Sequence, residues 1–139
     1  MAVLQVGGVL ETSLYVADLD RSRAFYTRVF AFETFLHDAR MCALGIPGRH
    51  VLLLFRHGAS VRPSPTRGGT VPAHDGRGRL HLCFSIRSGD LAAWETHLAR
   101  HDVVVESRVN WPRGGTSVYF RDPDEHSLEL ATPGLWPNY

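Results

Sequence analysis

With 139 residues, 44% hydrophobic and 21% charged, the chain is long enough to bury its own core and short enough to be one globular domain. Lys and Arg number 15 against 14 Asp and Glu, and the resulting formal charge of +1 excludes an electrostatic case for a nucleic-acid or membrane surface. No apolar run approaches a membrane span, and the opening MAVLQVGGVLE lacks the charged region and apolar core of a signal peptide, so the expectation is a cytoplasmic protein. Cys42 and Cys83 are too few for a disulfide framework and are read as reduced thiols.

Residues 9–16, VLETSLYV, place Leu10, Thr12, Leu14 and Val16 on one face and Glu11, Ser13 and Tyr15 on the other, which predicts a strand with one polar face. Asp18 or Asp20 then caps a helix running to Ala31. Leu19, Arg23, Tyr26 and Phe30 recur at helical spacing there, and Ala24 and Phe25 widen the stripe. Short strands are expected at 33–37, 41–45 and 51–55, separated by Asp-Ala-Arg and Pro-Gly turns. Residues 57–79 hold most of the Gly, Pro and Arg without periodicity and predict a long loop, a lid or a linker between halves.

Beyond the loop, residues 80–86, LHLCFSI, alternate Leu80, Leu82, Phe84 and Ile86 with His81, Cys83 and Ser85. A helix is expected over 90–100, with Leu91, Trp94 and Leu98 on one side, and strands at 103–107, 116–121 and 127–131. The last two are joined by the Asp122-Pro123-Asp124 turn, which sets the face that Glu129 takes. Glu129 lies in the middle of an apolar strand. Such a carboxylate must face water, pair with a cation such as Arg113 or Arg121, or bind a metal, because bare burial costs several kcal/mol.

The two halves repeat. At an offset of 70, Leu10 falls on Leu80, Glu11 on His81, Val16 on Ile86 and Asp20 on Asp90; at 76, Pro47 falls on Pro123, His50 on His126, Leu52 on Leu128 and Leu53 on Glu129. The chain therefore reads as an α+β fold of two tandem β-α-β-β-β modules, about 8–56 and 79–132, joined by residues 57–78.

This duplication, with VADLDRSRAFYTRVFAFE after the first strand, a His in the second opening strand and the closing RDPDEHSLEL, resembles the vicinal oxygen chelate superfamily. That superfamily includes glyoxalase I, extradiol dioxygenases, and fosfomycin- and bleomycin-resistance proteins. The resemblance implies a cup-shaped mixed sheet that holds a divalent metal through residues on the first and last strands of each module. Carried onto this chain, those positions are Glu11, His81, Leu53 and Glu129, of which Glu11, His81 and Glu129 can bind metal. Many members have His at the position of Glu11. One His and two carboxylates make the site formally neutral around a divalent ion and favour harder ions such as Mn²⁺ or Fe²⁺, with Zn²⁺ tolerated.

Around that centre, Tyr119 is expected on the cup face as a hydrogen-bond donor to substrate, and His74 is expected to enter from the loop; both are candidate catalytic residues. Arg113, in WPRGGTS, is a candidate anion contact, and Leu53, Phe55 and Trp111 are candidate apolar wall for the substrate. His50, His57, His97, His101 and His126 are read as surface or structural, and Cys83 as packing. The resemblance implies a metal-dependent enzyme whose small-molecule substrate chelates the ion. Its alternatives are a drug- or metabolite-binding protein of the bleomycin-resistance type and an extradiol ring-cleaving dioxygenase. A homodimer is the assembly it implies.

Overall fold

The computed structural model describes residues 2–139. Among the described residues ten strands and two α-helices form, and eight of the strands follow the order expected of two β-α-β-β-β modules. The elements are β1 (Glu11–Val16), α1 (Leu19–Phe30), β2 (Glu33–His37), β3 (Met41–Ile46), β4 (His50–Arg56), β5 (Ser64–Thr66), β6 (Gly69–Val71), β7 (His81–Ser85), α2 (Leu91–Arg100), β8 (Ser107–Asn110), β9 (Thr116–Arg121) and β10 (Ser127–Ala131). By internal contacts the chain divides into two compact units. The first holds the chain up to Arg23 together with Ala31–Gly76, and the second holds Ala24–Phe30 with Arg77–Tyr139.

In the first unit one four-stranded mixed sheet has the order β1-β4-β3-β2, with β1 parallel to β4 and the other pairs antiparallel. Cross-strand partners share a face, so Glu11, Ser13 and Tyr15 lie on the same side as Val51, Leu53 and Phe55. The opposite side carries Leu14, Val16, Cys42, Leu44, Leu52 and Leu54, each at most 2% exposed. Burying a side chain of this kind contributes about 1.5–3 kcal/mol.

The second unit repeats the sheet as β7-β10-β9-β8, with β7 parallel to β10. The repeat holds at the level of register. Glu11 pairs with Val51 and His81 with Ser127, so both partners move by the offsets read from the sequence, 70 for the first strand and 76 for the last. The apolar face of this sheet carries Val118, Phe120, Leu128 and Leu130, each 0% exposed, and Phe30 of α1 meets Phe84 at 4.9 Å and Trp94 of α2 at 5.9 Å between ring centroids.

Local chemistry sets the ends of α1. Asp18 Oδ1 accepts the backbone N–H of Arg21 at 3.0 Å, so Asp18 rather than Asp20 is the cap, while Asp20 in the first turn and Arg28 in the last suit the helix dipole. The helix stops before Ala31, which is left-handed at φ 56°. Its buried stripe is Leu19, Ser22, Phe25, Tyr26 and Val29; Arg23, expected within it, is only half-buried.

Two expectations need correction. The strand expected at 103–107 forms instead at Ser107–Asn110, because Val104, 80% exposed, makes 103–105 an apolar run that does not alternate into the core. The long loop is not structureless: Ser64–Thr66 pairs with Gly69–Val71 in a short hairpin whose tight end is closed by Thr66 Oγ1 donating to the Gly69 carbonyl at 2.7 Å. Three-residue strands, one containing Pro65, are too short to show an alternation.

Candidate functional site

The polar face of the second sheet is built from residues that the register aligns. Glu129 stands opposite Cys83 on β7 and Tyr119 on β9, while His81 stands opposite Ser127, two residues along β10 from Glu129. Glu129 is 4% exposed, and His81 Nε2 lies 3.5 Å from Glu129 Oε2. The imidazole is oriented from its other side, since Nδ1 is 2.9 Å from the Ser127 carbonyl. A carbonyl cannot donate, so Nδ1 carries the proton and, in the neutral ring, Nε2 presents a lone pair to the carboxylate. Two acceptors facing each other at that distance require a positive charge between them: a proton on the imidazole or a bound cation.

Three further donors surround the carboxylate. Burial alone would raise the Glu129 pKa, but hydrogen bonds from Tyr119, Cys83 and Ser117, with the charge of His81, outweigh it and hold the carboxyl below its ordinary value. The donors pay in turn: burial and the Glu129 carboxylate push the Tyr119 phenol up to about 12 and raise the Cys83 thiol. Ser117, 0% exposed, accepts the Trp111 indole N–H on Oγ at 2.8 Å. Trp111 is therefore bonded to one of the groups that lower the Glu129 carboxyl. Trp111, expected as apolar wall, also makes a polar bond through its indole.

The strand that carries His81 is pinned one residue earlier. The Leu80 N–H donates to Nδ1 of His126, 1% exposed, at 2.8 Å, and the His126 N–H donates to Asp122 Oδ1 at 2.9 Å. Asp122 Oδ2 accepts the Tyr26 hydroxyl at 2.6 Å. The Asp-Pro-Asp turn thus joins α1, β7 and β10 through one buried carboxylate.

In the first unit, Glu11 is exposed at the start of β1, on the same face as the half-buried Leu53 and the buried Phe55. Over that face lies His74, from the connecting segment, with its ring centroid 4.5 Å from Phe55 and Nδ1 2.7 Å from the Tyr15 hydroxyl. The backbone N–H of His74 donates to the Ser60 carbonyl at 2.9 Å. Arg113 is exposed in the turn after Trp111 and has no ion pair among the described residues. Arg121, a possible partner for Glu129, is instead paired with Glu106 at 2.7 Å.

The structure therefore brings together His81, Glu129 and Tyr119 in one unit, and His74 and Phe55 in the other. Among the described residues no group of three or more His, Cys, Asp and Glu side chains is gathered as a metal site. The pair that is gathered fits a divalent cation. Two donors each about 2.1 Å from one ion at the tetrahedral angle lie about 3.4 Å apart, and the second-side bond to Ser127 is the orientation a metal-binding His requires. Sequence reading missed Tyr15, Ser117 and the donor role of Cys83. The alternation of β1, β7 and β9 held the signal, since all three residues fall on the polar faces.

A sequence profile described as the glyoxalase/bleomycin resistance protein/dioxygenase superfamily matches residues 8–130. The chain belongs to this superfamily. Within it, the chain is 27% identical over 132 residues to a metallothiol transferase FosB of Shouchella clausii, covering 94% of this chain and 83% of that protein. It is 29% identical to the FosB of Bacillus licheniformis, covering 93% and 77%. Among solved structures, a lactoylglutathione lyase from Agrobacterium tumefaciens superposes with a TM-score of 0.86 at 34% identity, covering 95% of this chain and 98% of that one. The fosfomycin resistance protein FosX of Listeria monocytogenes shares the fold at a TM-score of 0.67 and 21% identity.

Proposed function

We propose that the protein is a metal-dependent enzyme that uses a thiol cosubstrate on a small oxygen-bearing molecule, with His81, Glu129 and Glu11 holding the divalent cation. The observation that carries this reading is the His81–Glu129 pair: an imidazole lone pair, oriented by the Ser127 carbonyl, facing a buried carboxylate at 3.5 Å. The thiol is supported by similarity to proteins named metallothiol transferase and lactoylglutathione lyase. Glu11 is the third ligand by its repeat position, as the counterpart of His81 at the start of the first strand. One imidazole and two carboxylates suit Mn²⁺, Fe²⁺ or Zn²⁺. Such an ion supplies Lewis acidity toward a substrate oxygen.

The chain's own residues supply the rest. Tyr119, held protonated by burial and the Glu129 carboxylate, turns its single hydroxyl proton from that carboxylate to a substrate oxygen when substrate binds. His74 assists proton transfer or orientation from the connecting segment, Arg113 contacts an anionic group, and Leu53, Phe55 and Trp111 enclose the apolar part. The compartment is the cytoplasm; no helix among the described residues is long and apolar enough to cross a membrane.

The test is elemental analysis of protein purified without chelator, compared with His81→Ala and Glu129→Ala, followed by thiol consumption over a panel of epoxides and α-ketoaldehydes that includes fosfomycin. Stoichiometric metal lost in both variants, with metal-dependent thiol consumption, is expected. Equal metal in all three proteins would overturn the site, and metal with ligand binding but no turnover would make the protein a binding protein instead.

A further inference from the structure

The face of the first sheet that bears Glu11 carries a second arrangement of polar groups. Tyr15, two strand repeats along from Glu11, meets His74 Nδ1 at 2.7 Å, and both rings lie against Phe55, at 6.0 and 4.5 Å between centroids. His74 is seated by several independent contacts. Its backbone N–H is bonded to the Ser60 carbonyl, Ser60 is 4% exposed, and Ser60 Oγ accepts from Arg40 at 3.4 Å. Gly76 continues the seat, because its backbone lies so close over the Tyr15 ring that a Cβ there would sit 2.3 Å from two ring carbons. Among the described residues, His74 Nε2 has no hydrogen-bond partner.

We propose that Tyr15 is a positioning residue: its hydroxyl donates to His74 Nδ1, fixes the imidazole in the Nε2–H tautomer, and so presents His74 as a hydrogen-bond donor to a substrate oxygen. Imidazole nitrogen is a far better acceptor than a phenol oxygen, which sets the direction of the bond. Burial, with the nearby Asp75 carboxylate, raises the Tyr15 pKa, so the phenol keeps the proton that it donates. With Nδ1 occupied, the lone pair that would make His74 a base is engaged. The free nitrogen carries N–H, and its partner must be an acceptor such as a carbonyl oxygen or an oxyanion. His74 thereby selects for an oxygen in the substrate at that point instead of removing a proton from it. The inference rests on the reading of this polar face as part of the substrate site.

The tautomer is read directly from long-range ¹H–¹⁵N spectra of the imidazoles of the labelled full chain, with Zn²⁺ as the only divalent ion and His74 assigned through His74→Asn. The expected result is an Nε2–H tautomer for His74 with Nδ1 as acceptor. In Tyr15→Phe the two His74 nitrogen resonances should converge as the Nδ1–H form becomes populated, while the signals of His81 stay in place. A wild-type His74 protonated at Nδ1, or resonances unchanged in Tyr15→Phe, would overturn the proposal. Should Tyr15→Phe not fold, the wild-type tautomer alone decides. The metal analysis of His81→Ala and Glu129→Ala is independent of these spectra, so failure of the enzyme reading and failure of the Tyr15 role are distinguishable.

Discussion

Trp111 Nε1 donates to Ser117 Oγ at 2.8 Å, and Ser117 is among the polar neighbours that lower the Glu129 carboxyl, so an indole on the turn before β9 is linked to the electrostatics of a buried carboxylate on β10. Trp111→Phe keeps an aromatic ring but removes the indole donor together with the pyrrole part of the ring, so its stability loss includes packing as well as the bond. The lost hydrogen bond alone is worth about 0.5–1.5 kcal/mol, and the lost ring atoms add to that. There is also a pH signature. The Glu129 carboxyl is held below its ordinary value, so it contributes stability above the unfolded pKa and loses it as pH falls through the folded one. With Ser117 no longer oriented, that folded value rises. The acid transition of metal-free Trp111→Phe should start at higher pH than that of the wild type; urea midpoints measured from pH 7 downward check this, and an acid transition at the same pH in both would break the link between Trp111 and Glu129.

Tyr26→Phe probes the other buried carboxylate. Asp122 is raised above its ordinary value because burial disfavours its charge, and Tyr26, His126 and Asp124 offset that only in part. Removing the Tyr26 hydroxyl, 2.6 Å away, takes a bond to a charged group worth about 1.5–3 kcal/mol. The sign follows from the raised value. Stability linked to protonated Asp122 is full below the unfolded pKa and is lost as pH rises through the folded one, and losing Tyr26 raises the folded value further. The deficit of Tyr26→Phe should therefore be larger at pH 7 than near pH 4. Thermal melts at both values test this, and a deficit independent of pH would mean that Tyr26 acts through packing alone.

Much of this was legible in the sequence, for a physical reason. A period of two assigns a face to every strand residue, and a repeat compares two strands at once. The offsets therefore make the pair Glu11–Val51 of the first sheet the counterpart of His81–Ser127 in the second, and the period puts His81, Tyr119 and Glu129 each on the polar face of its strand. What period and offset do not contain is distance across a turn. Tyr15 and His74 are 59 residues apart, Tyr26 and Asp122 are 96 apart, and neither pair lies on one ladder. His126 could be read as surface or structural because its burial depends on the turn folding back to reach the Leu80 N–H. The β5–β6 hairpin was likewise hidden, since its bonds join neighbours in a segment too short for a pattern, whereas the Asp-Ala-Arg turn at Asp38 was legible from its turn residues.

Gly76 offers a steric test of the connecting segment. A Cβ at this position would meet the Tyr15 ring at 2.3 Å, whereas at Gly78 nothing lies within 4 Å and the cost of a side chain comes from the backbone at φ 83°. Gly76→Ala should lose about 1–3 kcal/mol, the range for overpacking, and should free the segment that bears His74. Limited proteolysis between residues 72 and 79 should be faster in Gly76→Ala than in wild type under folded conditions. Equal cleavage rates would show that the segment does not depend on its seat over Tyr15.

Asp38 separates a carboxylate's charge from its oxygen. Its Oδ1 accepts the backbone N–H groups of Arg40 at 2.8 Å and Met41 at 2.9 Å, closing the turn between β2 and β3, and these bonds hold the carboxyl below its ordinary value against a small opposing effect of burial. A lowered folded value means that the contribution is present above the unfolded pKa, about 3.9, and disappears as pH falls through the folded one. Asp38→Ala removes both charge and acceptor, while Asp38→Asn keeps an oxygen that can accept the same two N–H groups. At pH 7 the melting temperatures should therefore fall in the order wild type, Asp38→Asn, Asp38→Ala. As the pH drops below the carboxylate range the wild type should approach Asp38→Asn, because protonation makes the two side chains nearly equivalent as acceptors, and a gap between them that persists in acid would place the effect elsewhere than in this turn.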